Sequence, residues 1–410
     1  MDNKALRVLE YNKIIDLLTE KASSDPGREL CKSLTPLLDL EEIQLAQTYT
    51  KDALSRLFKK GSTSFGGNRD LTYICKHLEV GGSLNAIELL QIAALLENVA
   101  RVKSFGRMEG KEFTDSLDSF FEQLEPLTQL SSQLRRCILS EEEIADDASS
   151  NLRHIRRQMT ITGDKIHSQL NSMVNGSYRT YLQDAVITMR DNRYCIPVKA
   201  EYKNQVSGMV HDQSGSGSTL FIEPSAIIDL NNKLKELSLQ EKEEIEKILR
   251  DLSILCSEHT LTFKQNAELM TFLDFTFAKA SLALEQNATE PIFNERGYIN
   301  IRKGRHPLLK KDKVVPIDIY LGDAFSQLII TGPNTGGKTV SLKTVGLFTL
   351  MGQSGLHIPA LDRSELGIFT NVFADIGDEQ SIEQSLSTFS SHMTNIVHIL
   401  KEADSRSLCL

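Results

Sequence analysis

The sequence predicts an α-helical scaffold carrying a long antiparallel coiled-coil arm with a small β-rich tip, followed by a segment of α/β texture. Three observations predict it. Apolar residues recur at alternating three- and four-residue spacing over two separated stretches. Between these stretches lie short β-branched runs divided by turn residues. Beyond residue 290, strand-like runs alternate with a glycine-rich loop and a helical pattern.

The scaffold comes first. A chain of 410 residues exceeds one ordinary core, which implies two or three domains. Leu9, Ile14, Leu17 and Leu18 form an apolar stripe at helical spacing, ended by Ser23-Ser24-Asp25-Pro26-Gly27. Gly61 to Asn68 reads as a loop and Ser83 through Val102 as a helix. An apolar helical stretch over 258–290 should return to the same scaffold, assigned here to 1–130 and 256–290.

The arm spans 131–255. Leu134, Ile138, Ala145, Ala148, Leu152, Ile155, Met159, Ile166, Leu170 and Met173 form one heptad seam. As a single helix it would run about 60 Å at about 1.5 Å per residue. Leu230, Leu234, Leu237, Ile245, Ile248, Leu252 and Leu255 form the second seam. Neither helix can bury its seam alone, so the two should pair antiparallel. The tip, about 179–225, predicts strands at Val186–Met189, Tyr194–Val198, Val206–Val210 and Thr219–Ile222, with a turn at Asp191-Asn192.

Composition narrows the setting. Hydrophobic residues make up 40% and charged residues 25%, ordinary for a globular protein, and the formal charge is −9. No apolar run reaches the roughly 18 residues of a membrane span, and Met1-Asp2-Asn3-Lys4 does not open a signal peptide. A cytoplasmic, membrane-free protein is expected. The six cysteines have no CxxC spacing and predict reduced, mostly buried thiols.

The densest signal lies near residue 332. Gln327-Leu328-Ile329-Ile330-Thr331 predicts a strand, and Gly332-Pro333-Asn334-Thr335-Gly336-Gly337-Lys338-Thr339 follows at once. Val340 to Leu350 then predicts a helix with Leu342, Val345 and Leu350 inward. This order is the context a phosphate-binding loop requires. Glycines let backbone N–H groups approach phosphate oxygens, and the helix N-terminus adds favourable dipole charge. Lys338 is placed to reach the β- and γ-phosphates and the Thr339 hydroxyl to hold Mg²⁺, with Val340 completing the set. ATP and Mg²⁺ are therefore the cofactors this loop predicts.

Hydrolysis also needs carboxylates at the end of a neighbouring strand. The candidate strand is Ser407-Leu408-Cys409-Leu410, where the sequence stops. Asp375, Asp378 and Glu379 follow another predicted strand, Asn371–Ala374, but precede a long polar stretch and are not given that role. The expectation is a piece of a longer protein, ending inside a nucleotide-binding domain over 291–410. It should bind nucleotide, lack catalytic carboxylates and hydrolyse poorly.

The loop at 332–339, with Ser387-Thr388-Phe389-Ser390-Ser391-His392-Met393 and Gly304-Arg305-His306-Pro307, resembles the ATPase of the MutS family. Tyr194-Cys195-Ile196-Pro197-Val198-Lys199, His211-Asp212 and Leu220-Phe221-Ile222-Glu223-Pro224 are similar to its type-two branch, named for suppressing recombination. The resemblance covers nearly the whole chain. It implies a truncated P-loop ATPase domain of ABC type, a lever arm ending in a DNA clamp, and a homodimer. It further implies that Gly332 to Thr339 bind ATP and Mg²⁺ and that Gln380 senses the γ-phosphate. Ser387–Met393 would face the partner's nucleotide, and the adenine would rest against Val314-Val315-Pro316-Ile317. This branch lacks a mismatch-reading domain, in line with a helical pattern that starts near Met1. Its full-length members end in an Smr nuclease domain, so nuclease chemistry is not expected of these residues.

Within the tip, Arg190, Arg193, Lys199 and Lys203 are candidate phosphate contacts, with Arg179 near the base. The Gly/Ser loop 213–218 can bring backbone donors to phosphates. Asp191, Glu201, Asp212 and Glu223 share the segment, and no aromatic interleaving suggests stacked single strands. Binding of this kind reads shape or backbone and weakens with salt. Three readings stand: an ATPase on branched DNA that limits recombination, a ribosome-associated ATPase that contacts rRNA and splits stalled or collided ribosomes, and a dimeric ATPase with a protein partner. Both of the first two partners are rich in phosphate, so the residues do not separate them.

Overall fold

The computed structural model describes residues 2–107, 115–333, 336–376 and 385–410, with side chains in the last stretch described from His392 onward. Two compact units divide the chain. One comprises Met1–Thr72, Ala94–Thr128 and Leu261–Leu410, the other Tyr73–Ala93 and Gln129–Thr260. In chain order the helices are α1 (Asn3–Val8), α2 (Tyr11–Thr19), α3 (Asp25–Lys32), α4 (Leu40–Lys60), α5 (Thr72–Glu79), α6 (Ala86–Gly106), α7 (Asp118–Gln123), α8 (Thr128–Cys137), α9 (Ser150–Asn175), α10 (Ile228–Ser257), α11 (Thr260–Gln286), α12 (Lys338–Gln353) and α13 (Ser385–Glu402). Among the described residues no helix is long and apolar enough to cross a membrane.

In the second unit α9 and α10 lie against each other. Their buried faces are Leu152, Ile155, Ile166, Leu170 and Val174 on one side and Leu237, Ile248, Leu252 and Cys256 on the other. Arg156 meets Glu241, while Ser149 and Asn151 meet Glu244, so the helices run antiparallel. The predicted single helix from Leu134 to Met173 does not form. Leu134 belongs to α8, an antiparallel bridge joins Ile138 to Ile144, and α9 starts afresh at Ser150. The reason is local. Glu141-Glu142-Glu143 offers no apolar seam, and the Ser149 hydroxyl caps the new helix by accepting from the Leu152 amide at 2.9 Å. At 26 residues α9 is about 39 Å long, not 60.

Between α9 and α10 sits a four-stranded antiparallel sheet of β1 (Thr188–Arg190), β2 (Arg193–Lys199), β3 (Gly208–Gln213) and β4 (Thr219–Pro224), in the order β1-β2-β4-β3. Asp191 and Asn192 both take positive φ, +48° and +57°, as a two-residue hairpin turn requires. Register pairs Ile196 with Ile222 and Val198 with Leu220. These residues pack with Ile166, Leu170 and Val174, so the sheet and the far end of α9 share one core.

The first unit is built around α12. Leu347, Phe348, Leu350 and Met351 are fully buried, and Leu9, Ile14 and Leu18 from the start of the chain join the same cluster. Gly346 makes that approach possible, because a Cβ there would lie 2.4 Å from Leu410 and 2.7 Å from Leu9. Alongside lie β5 (Ile292–Asn294), β6 (Ile299–Gly304), β7 (Ile317–Leu321) and β8 (Glu365–Gly367), in the order β5-β8-β6-β7. The strands β9 (Asn371–Phe373) and β10 (Ser407–Cys409) pair parallel to each other. The strand predicted at Gln327–Thr331 is not formed. Leu328 and Ile329 are 43% and 85% exposed, and no described strand supplies the ladder hydrogen bonds that would hold them extended.

Candidate nucleotide-binding site

The glycine turn leads directly into α12. Gly332 and Gly337 take φ of +148° and +80°, and Gly337 is the helix N-cap in left-handed conformation with no side-chain cap. An alanine Cβ at Gly332 or Gly337 would meet nothing within 4 Å. Glycine is therefore needed for backbone conformation, and the space over the turn is open. The Gly336 amide donates to Pro333 O at 3.0 Å and closes the turn. The Lys338 ammonium donates to Gly332 O, folding the side chain back over the loop. Thr339 and Val340 are exposed on the first helical turn. Asn334, Thr335 and Gln380 lie outside the described residues.

Other predicted positions are distributed around this unit. His306 is 6% exposed, and burial pushes its imidazole below the ordinary range. Nearby, Glu10 pairs with Lys343 of α12 at 3.2 Å. Val315 is 77% exposed, and Ile317 opens β7. The side chains of Ser387 to Ser391 lie outside the described residues, although their backbone belongs to α13.

His392, at the end of that motif, is held by Asp375. Its Nδ1 stands 3.0 Å from Asp375 Oδ2, while Asn395 Nδ2 donates to Asp375 Oδ1 at 2.9 Å. The Asp375 amide donates to Leu410 O at 2.8 Å, so the carboxylate sits at the end of the β9–β10 pair. Burial raises the Asp375 pKa, but hydrogen bonds from Asn395 and His392 outweigh it and hold the group below its usual value. Sequence reasoning set Asp375 aside and did not identify this cluster. The available signal was the three-residue spacing of His392 and Asn395, which puts both on one face of a helix.

In the tip, protein partners already engage two of the four basic candidates. Arg190 Nε donates to Asp212 at 2.9 Å, and its guanidinium lies 3.9 Å over the Phe221 ring. Arg193 Nη1 donates at 2.7 Å to Glu223, which is fully buried. Glu223 also accepts from Asn231 at 2.7 Å and lies 2.6 Å from His211 Nε2. Burial, then the charge of Glu223, pushes the Cys195 thiol up to about 11. Lys199 stands 6.0 Å from the Tyr202 ring and Lys203 is exposed; neither has a carboxylate partner among the described residues. Arg179 is exposed at the start of a 3-10 turn. In the Gly/Ser loop the Ser214 and Gly217 amides are used internally, donating to Thr219 O and Ser214 O.

The chain joins a glycine turn under a lysine to an antiparallel helix pair ending in a small sheet, and sequence comparison identifies its class. Residues 328–410 match the family described as MutS domain V. The chain belongs to the MutS family, and within it to the type-two branch. A protein named Endonuclease MutS2 from Agathobacter rectalis is 59% identical over 412 residues, covering all of this chain and 52% of the relative. Proteins of the same name from Lachnoclostridium phytofermentans and Clostridioides difficile are 57% and 49% identical, with the same coverage. The chain thus spans about half the length of the curated relatives it matches, 52%.

Proposed function

We propose that the chain is the nucleotide-binding and DNA-gripping part of a MutS-type ATPase that works as a homodimer on branched DNA and limits recombination. The observation that carries this reading is the glycine turn Gly332–Gly337 leading into the N-terminus of α12, with the Lys338 ammonium on Gly332 O. The residues fit a triphosphate. A helix N-terminus at Gly337, open space over two glycines and the Lys338 ammonium suit a polyanion. In this reading Lys338 leaves Gly332 O for the β- and γ-phosphates, Thr339 holds Mg²⁺ through its hydroxyl, and Gln380 senses the γ-phosphate. Bound Mg²⁺ would neutralise charge on the terminal phosphates.

The α9–α10 pair and its sheet serve as lever and clamp. Lys199 and Lys203 are the first candidates for phosphate contact. Arg190 and Arg193 join them only by sharing or leaving Asp212 and Glu223. The endonuclease activity in the relatives' names is assigned to none of these residues.

A fluorescent ATP analogue tests the loop: Lys338→Ala should weaken binding at least tenfold, and unchanged affinity would overturn the assignment. Gel shifts with a four-way DNA junction test the clamp. Lys199→Glu with Lys203→Glu should weaken binding and reduce the salt slope by about one per lysine. An unaltered slope would remove both lysines from the interface.

A further inference from the structure

A cavity of about 290 Å³ opens between α4 and α11 in the unit that also holds α12. Its wall is mainly apolar and aromatic: Leu37, Leu45, Tyr49, Phe272 and Phe275. Tyr49 meets Phe272 edge-on at 5.3 Å, which fixes the shape of that wall. The volume is at the lower end of small-molecule sites, which are largely apolar with a few placed polar groups.

The exception in this wall is Lys279, one helical turn beyond Phe275 and only 6% exposed. Its ammonium donates to Ser354 O at 3.2 Å and stands 4.3 Å from the Phe275 ring centroid. No carboxylate pairs with it among the described residues. The one acid in the lining, Glu42, is exposed. An ammonium has three donors, and a carbonyl with a ring face does not replace a counter-ion. Burial pushes the Lys279 pKa down to about 8. The cavity therefore combines a mainly apolar wall with an ammonium that has no carboxylate partner among the described residues.

We propose that this cavity binds a small amphiphilic carboxylate, its apolar body against Phe272 and Leu45 and its carboxylate on Lys279. Charge complementarity selects the class: an anion supplies what the ammonium lacks, while an alcohol of equal length supplies only the apolar body. This site is separate from the glycine turn and does not depend on nucleotide binding.

Octanoate is the probe and 1-octanol its uncharged counterpart. Calorimetry on the 410-residue chain should give one saturable octanoate site, with octanol at least tenfold weaker. Lys279→Met keeps the stem and removes the charge, and should bring the two affinities level, with circular dichroism checking the fold. Ala46→Leu, which narrows the cavity from α4, should lower both affinities at least tenfold and keeps the test open if Lys279→Met does not fold. No saturable binding, equal affinity for octanoate and octanol in the native chain, octanoate preference retained in Lys279→Met, or unaltered binding in Ala46→Leu would each overturn the proposal.

Discussion

His357 shows what burial does to a single titratable residue. It is 4% exposed, and neither ring nitrogen has a hydrogen-bond partner among the described residues. Burial, opposed in part by Glu290, lowers its pKa to about 4 from 6.5. Between those values the unfolded chain binds a proton that the folded chain does not, so stability is full above pH 6.5 and falls as pH drops toward 4. The loss amounts to at most about 3 kcal/mol, at 1.36 kcal/mol per pKa unit. Urea midpoints between pH 7 and 4.5 should fall for the native chain and fall less for His357→Leu; parallel curves would rule His357 out as the cause. Gly355 makes a steric case. Its φ is +71°, and a Cβ would lie 2.6 Å from that of Ala46. Gly355→Ala should cost about 1–3 kcal/mol through the left-handed backbone alone, with the clash added. An unchanged denaturation midpoint would mean that α4 moves aside freely.

At the scale of elements, a few polar residues decide where helices begin. Ser149 caps α9 and also donates to Glu244 of α10 at 2.7 Å, so one hydroxyl sets both the helix start and the register of the pair. Two hydrogen bonds, from Asn151 and Ser149, hold the Glu244 carboxylate below its usual pKa. Ser149→Ala should destabilise by about 1 kcal/mol, as loss of an N-cap does. Leu170→Ala, in the core shared by α9 and the sheet, should cost about 2–5 kcal/mol. Chemical denaturation followed by circular dichroism measures both, and the larger loss should belong to Leu170. The heptad pattern located the two paired helices, but it read across the turn between α8 and α9 because Ile138 and Ala145 fall on the seam by spacing alone. In the fold those residues sit in a bridged loop, where Ala145 N donates to Cys137 O.

At the scale of the molecule, the two ends of the sequence share one core. Leu9, Ile14 and Leu18 pack with Leu347, Phe348 and Met351 of α12, and Glu10 pairs with Lys343. The segment carrying the glycine turn is therefore completed by residues more than three hundred positions earlier. A chain lacking residues 2–22 should lose nucleotide binding together with solubility, although no glycine-turn residue is altered. Normal binding by that shortened chain would separate the N-terminal helices from the site.

The sequence by itself determined the local features: the glycine turn before a helix, the hairpin at Asp191-Asn192, the two seams of α9 and α10, and the MutS resemblance. The turn, the hairpin and the seams are set by residues near one another in sequence, through backbone conformation, turn chemistry or helical period, and the resemblance rests on short local motifs spread along the chain. Tertiary structure decided the rest. The exposure of Leu328 and Ile329, the Asp375–His392–Asn395 cluster, the engagement of Arg193 by buried Glu223 and the lone cation of Lys279 depend on distant neighbours. A strand needs a partner and a charge needs a counter-ion, and sequence spacing specifies neither.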